Sequence, residues 1–263
     1  MNWHIGCSGF HYKEWKEFFY PKGLAQSKWF VHYSQQFDTV ELNSTFYRFP
    51  RVAALETWHN KSPEHFLFAV KAPRLITHYK KFTDCKRLLD DFYGSITAGL
   101  KEKLGPVLFQ LPPNMPYTED KLDLIMESMK SGFLNVVECR HESWWKKKVF
   151  AAFKKNNIVF CSISYPNLPN EVIATTETIY YRFHGIPKLY YSAYEEKFLK
   201  KIIDSINQSK ATTAFVYFNN TAEEGAICNS GYVKKYIAGK KKTNFVGATN
   251  SRSGLKPVEK PTS

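Results

Sequence analysis

Glu41, Lys71, Glu138, Arg140, Arg182 and His184 each stand at or just past the carboxyl end of a short apolar run. Asn43, Gln110, His141, Asn219 and Asn220 occupy the same kind of position. Carboxylates and imidazoles exchange protons, ammonium and guanidinium groups hold anions, and amides orient hydroxyls. A charge at the end of an apolar run costs burial energy unless it is paired or used. Eight runs end this way, the remaining two closing on Cys7-Ser8 and on Ser162-Ile163-Ser164, so the polar ends belong to one shared pocket. Residues two apart on a strand share a face. Glu41 therefore points with Asn43, Glu138 with Arg140, Arg182 with His184, Tyr217 with Asn219, Lys71 with Ala69 and Gln110 with Leu108.

Glu138 and His184 are the expected proton-transfer pair, with Glu41 as a further acid or base. Asn43, Lys71, Gln110, Arg140, His141, Arg182, Asn219 and Asn220 are the expected substrate contacts. Two acids against three bases leave a positive excess, which suits an anionic or sugar-like polar ligand. Replacing Arg140 or Arg182 with Met is expected to abolish binding and leave the fold intact. The alternative is a buried ion-pair network without chemistry. Lys71 is expected to pair with Glu41 across adjacent strands, which would keep its pKa high and remove it as a Schiff-base amine.

Glu41, Glu138, His141 and His184 are of the right types for a divalent metal, but no H-E-x-x-H and no cysteine cluster accompany them. Arg140 and Lys71 would compete with a cation, so neither a metal nor a cofactor is expected and a divalent ion is the minor alternative. No G-x-S-x-G, G-x-x-x-x-G-K-[ST] or G-x-G-x-x-G occurs, against a serine nucleophile, a P-loop and a dinucleotide cofactor. Aromatics crowd the strand ends, among them Phe10, Tyr12, Trp15, Phe46, Tyr47, Trp144 and Trp145. They either cap the mouth as core or stack on bases and sugars.

Positioning these ends requires an alternation of strands and helices. Strands are expected over 3–7, 39–42, 66–71, 106–111, 135–140, 158–163, 178–183 and 212–218. Helices are expected over 27–36, 52–60, 84–103, 119–130, 145–156, 193–207 and 227–238, with a loop after the sixth strand. Eight such units imply a single α/β domain, a (β/α)8 TIM-like barrel of parallel strands over residues 1–238, whose chemistry lies at the carboxyl ends. Thr118 reads as a helix cap, and Ser192 with Glu195 has capping-box spacing.

The chain carries 37 basic residues against 24 acidic ones, and residues 239–263 hold six of the former against Glu259 alone. That last segment has no apolar period and reads as a basic, disordered tail. A diffuse positive field favours acidic partners: a small polar or anionic ligand, or nucleic acid held weakly and non-specifically. Five scattered cysteines without a C-x-x-C pair suit a reducing, cytoplasmic setting. No apolar run approaches the roughly 20 residues of a membrane helix, so no membrane partner is expected.

The chain resembles the YecE-like family, domain of unknown function 72, from about Ile5 to Ile237. The resemblance rests on Gly6-Cys7-Ser8-Gly9-Phe10, Phe37-Asp38-Thr39-Val40-Glu41-Leu42-Asn43-Ser44-Thr45-Phe46-Tyr47 and Phe68-Ala69-Val70-Lys71-Ala72-Pro73-Arg74 with Thr77-His78. It continues through Gly105-Pro106-Val107-Leu108-Phe109-Gln110-Leu111-Pro112-Pro113, Glu138-Cys139-Arg140-His141, Arg182-Phe183-His184-Gly185 and Phe218-Asn219-Asn220. The resemblance implies a TIM barrel. It leaves three readings open: an acid/base enzyme, a nucleic-acid binder or metal-dependent repair-type nuclease, and a non-catalytic ligand-binding scaffold. Ser164 and Thr221 stand where the family tends to carry acids.

Overall fold

The structure is a computed structural model that describes residues 1–250, with side chains described through residue 240. Eight strands follow in chain order: β1 (Asn2–Cys7), β2 (Thr39–Leu42), β3 (Leu67–Lys71), β4 (Leu104–Gln110), β5 (Asn135–Glu138), β6 (Val159–Ser164), β7 (Thr178–Phe183) and β8 (Thr213–Phe218). All pair in parallel, in the order β1-β8-β7-β6-β5-β4-β3-β2. The helices are α1 (Trp29–Gln36), α2 (Ser44–Tyr47), α3 (Val52–Lys61), α4 (Lys86–Leu100), α5 (Glu119–Ser128), α6 (Lys147–Lys155), α7 (Glu196–Gln208) and α8 (Gly225–Asn250). Residues 165–177, between β6 and β7, hold no helix.

The chain is thus an α/β barrel with two apolar layers. The larger lies between sheet and helices and takes the outward-facing strand residues, such as Val40, Val107, Val137, Tyr181 and Phe183. The smaller fills the barrel itself with Ala69, Leu108, Val136, Val159, Cys161, Ile163, Tyr180, Phe215 and Tyr217. These inner residues lie below the polar ends on the same strand faces, so the site rests on a dry floor. That arrangement excludes water from beneath and makes every charge above it depend on its neighbours.

The ladder is continuous except between β1 and β2, and side chains close that seam. The Tyr33 hydroxyl accepts from the Cys7 amide at 2.7 Å and donates to the Thr39 carbonyl at 3.0 Å. Asp38 meets His4 Nδ1 at 3.0 Å on the same seam. Gly6 allows the approach: a Cβ there would lie 2.3 Å from the Thr39 carbonyl oxygen, so no other residue fits. Removing one hydroxyl leaves two buried backbone groups unpaired, and each such group costs about 1–3 kcal/mol. Tyr33→Phe is expected to lower stability by about 2 kcal/mol and to speed hydrogen exchange at the Cys7 amide. Unchanged exchange there would show that the seam closes without Tyr33.

One local expectation holds and one is corrected. Thr118 does cap α5, accepting from the Lys121 amide. Ser192 does not cap α7, which begins after Glu195; its hydroxyl instead accepts from the Lys188 amide, holding the loop after β7. The expected boundary after residue 238 falls inside α8, which runs to Asn250, and Lys240 pairs with Asp204 beside the Tyr236 hydroxyl. The remainder of the expected tail, residues 251–263, lies outside the described residues. Among the described residues, no helix is long and apolar enough to cross a membrane.

Candidate functional site

The carboxyl ends of the strands carry a chain of alternating charges. Glu41 on β2 accepts from Arg182 Nη2 at 2.6 Å and from the Tyr180 hydroxyl at 2.5 Å. Arg182 Nη1 reaches across the barrel to one oxygen of Glu138, whose other oxygen accepts from Arg140 Nε. His184 Nε2 sits 3.5 Å from Glu138 and 3.3 Å from Arg140 Nη2. Glu41, Glu138, Arg182 and His184 are fully buried. Two carboxylates and two guanidiniums make this chain neutral.

Its protonation state follows from those contacts. Burial alone would raise the Glu138 carboxyl, but Arg140, Arg182 and His184 hold it well below the usual carboxylate range. Burial and then Arg140 drive His184 well below an ordinary imidazole, despite the pull of Glu138. At neutral pH the pair is therefore an ionised carboxylate and a neutral ring. Asn219 Nδ2 lies 2.8 Å from His184 Nδ1 and donates to it when the ring proton sits on Nε2, the nitrogen that faces Glu138.

Lys71 stands apart from this chain. It was expected to pair with Glu41, and it does not. The β2–β3 register sets Glu41 beside Ala69, one inward layer below Lys71, and Arg182 and Tyr180 already occupy Glu41. Lys71 Nζ donates to Gln110 Oε1 at 2.7 Å and lies 4.0 Å from the centre of the Phe46 ring. No carboxylate pairs with it among the described residues. Burial first, then Arg182, lowers its pKa to about 7, with Glu138 and Glu41 opposing from a distance. The amine is therefore partly neutral at physiological pH, which the expected ion pair would have prevented.

The other expected contacts divide. Asn43 follows β2 at the mouth, and its Oδ1 is buried without a hydrogen-bond partner. Gln110 and Arg140 line the mouth with Lys71, each just short of full burial. Arg182 lies underneath, between its two carboxylates, where it positions Glu138 and has no exposed surface. His141 is turned away: its Nδ1 accepts from the Ser143 amide and caps a short turn. Asn220 is likewise committed, donating to the Ser192 carbonyl and to Asn229.

Three side chains at the site escaped the sequence reading of roles. Tyr180 shares a face with Arg182, two residues on, so parity alone places it against Glu41. Tyr165 continues the inward series Val159, Cys161, Ile163 beyond β6 and covers Arg140, 4.1 Å from ring centre to guanidinium carbon. His78 lies edge-on to Phe46 at 4.9 Å, and burial with the Lys71 and Arg140 charges lowers its pKa to about 4. It is a neutral imidazole at the rim. Among the described residues no group of three or more His, Cys, Asp or Glu is placed to hold a metal ion, and both Glu138 oxygens already face guanidiniums.

The family model described as "Protein of unknown function DUF72" matches residues 4–252. The chain belongs to the DUF72 family. It is 26% identical over 245 residues to the UPF0759 protein YunF of Bacillus subtilis, covering 80% of this chain and 86% of that one. A 28% identity to the UPF0759 protein YecE of Escherichia coli spans 116 residues, 44% of this chain and 42% of YecE. The crystal structure of a DUF72 family protein from Thermotoga maritima superposes with a TM-score of 0.83 at 27% identity, covering 90% of this chain and all of that one (100%). A DUF72 family protein from Enterococcus faecalis, 18% identical, shares the fold with a TM-score of 0.77. These members of the DUF72 family establish the barrel and carry no reaction with them.

Proposed function

We propose that this DUF72 protein is an enzyme acting by acid/base catalysis on a small anionic or sugar-like polar molecule at the carboxyl face of its barrel. Lys71 carries the reading. It is a buried amine at the mouth with no carboxylate partner among the described residues, beside an ion-pair chain that is already neutral. An uncompensated cation in such a place favours a ligand that brings the negative charge. Lys71 and Arg140 hold the anionic group, Gln110, Asn43 and Asn219 orient the rest, and Lys71 exchanges the proton. Glu138 and His184, locked in one protonation state each, position Arg140 and Asn219. Glu41 and Arg182 support them from below.

The approach to the mouth has the matching sign. The stretches 42–55 and 65–83, which hold the loops after β2 and β3, contain Arg48, Arg51, Lys71, Arg74, Lys80 and Lys81 and no acid. Arg74 lies between the exposed Tyr47 and Tyr79 rings, at 5.6 and 5.4 Å. Inorganic phosphate is the simplest probe. Saturable binding by calorimetry is expected, weakened at least about 10-fold in Arg140→Met, which removes one charge-assisted contact of roughly 1.5–3 kcal/mol. The variant retains a cooperative melt, because Glu138 keeps Arg182. Absence of saturable phosphate binding in the wild type would remove the reading. A single-stranded oligonucleotide that binds more tightly than phosphate and survives a rise in salt would favour the nucleic-acid alternative.

A further inference from the structure

We infer that Lys71 is an imine-forming lysine, and that the substrate class of this mouth is a carbonyl compound bearing a carboxylate or phosphate. The inference rests on the anion-binding reading above and moves Lys71 from anion contact to reacting group, leaving the anionic group to Arg140. Amine catalysis on carbonyls needs a nitrogen with a free lone pair, held at the base of a pocket with room for one substrate. Lys71 is held from both sides by Gln110 Oε1 and the Phe46 ring face. The backbone carbonyl of Lys71 is fixed as well, accepting from the Thr45 hydroxyl at 2.6 Å. The amine therefore presents itself from a rigid stem rather than from a mobile chain.

The surroundings suit each stage of the step. The neutral nitrogen forms a bond to the carbonyl carbon, and the carbonyl oxygen leaves as water, carrying both amine hydrogens. The imine nitrogen then takes one proton from solvent. The resulting iminium is again a cation, so the Phe46 contact that serves the ammonium serves it too. The unpartnered Asn43 Oδ1, at the end of the neighbouring strand, is a spare acceptor for the carbinolamine hydroxyl. Arg140 follows β5, two strands from β3 and four residues beyond the position level with Lys71, where it takes the anionic group of a short oxo acid or sugar phosphate.

The groups that act on Lys71 are Arg182, Arg140, Glu138 and Glu41, and His78 at the rim is neutral above pH 5 or so by its own lowered pKa of about 4. Glu138 is held well below the usual carboxylate range, Arg182 is pushed well above its ordinary value, and His78 falls to about 4, so these three keep one charge between pH 6 and 9.

The test uses the full chain with glyoxylate and sodium cyanoborohydride at pH 7, followed by peptide mapping. The hydride reduces the imine carbon and leaves Lys71 heavier by glyoxylate less one oxygen. An amine with pKa near 7 is about half free at pH 7, whereas an ordinary lysine is free in about one part in 2,500, so labelling at Lys71 is expected on the order of 1,000-fold faster than at surface lysines. Inorganic phosphate should slow it. Labels on surface lysines with Lys71 untouched, while phosphate still binds, would overturn the imine and leave the anion-binding reading standing. Loss of both phosphate binding and Lys71 labelling would overturn the two together. The wild type answers the question, so a variant that misfolds leaves the result intact.

Discussion

Arg182→Met is expected to destabilise the protein by about 3–5 kcal/mol at neutral pH, the cost of leaving buried charge uncompensated. The guanidinium has no exposed surface and spans the barrel between Glu41 and Glu138. Without it, Glu138 keeps Arg140, but Glu41 keeps only the Tyr180 hydroxyl. Glu41→Gln added to Arg182→Met removes the stranded charge, so the double variant should recover part of the loss, a coupling visible in a double-mutant cycle. Chemical denaturation of the four proteins measures it. A single variant within about 1 kcal/mol of the wild type would mean that water or a rearranged partner reaches Glu41, and that the chain of charges is not the support described here.

The barrel was legible because its signal is repeated. Eight apolar runs with polar ends, separated by helical stretches, leave few other ways to bury both faces of a parallel sheet. Parity also found the inward set, since Glu138 with Arg140 and Arg182 with His184 do meet in the barrel interior. It failed on partners, because parity assigns a face and says nothing of height. Lys71 and Glu41 face the same interior on adjacent strands, yet the register lifts Lys71 one layer above Glu41. Which base neutralised which acid was therefore hidden, and with it the protonation state of Lys71. The loop contacts of His141 and Asn220 were hidden for another reason. His141 lies three residues beyond the end of β5 and Asn220 two beyond the end of β8, so each side chain turns back to hold its loop. Tyr165 was concealed by a proline-rich loop, although the inward series of β6 leads straight to it.

Lys71 gives the second large effect, and its sign can be worked out. Its folded pKa of about 7 lies below the ordinary lysine value of 10.5. Between these limits the unfolded chain holds a proton that the folded protein has given up, so stability rises with pH across the window. Above it both states are neutral and nothing is lost; as pH falls through about 7 the loss becomes complete, on the order of 5 kcal/mol at most. Lys71→Met removes the titrating group. The wild type is expected to gain several kcal/mol of stability from pH 7 to pH 10, and the variant to lack that share of the slope. At pH 7 the variant should be the more stable protein despite leaving Gln110 Oε1 without its donor, a cost of about 1–3 kcal/mol. It should also have lost phosphate binding. Stability gained at the expense of the ligand is the behaviour of a group kept for function, because a purely structural lysine would take its packing and its hydrogen bond with it when removed. Parallel pH profiles for the two proteins, or a variant less stable than the wild type at pH 7, would place Lys71 among the supports of the barrel instead.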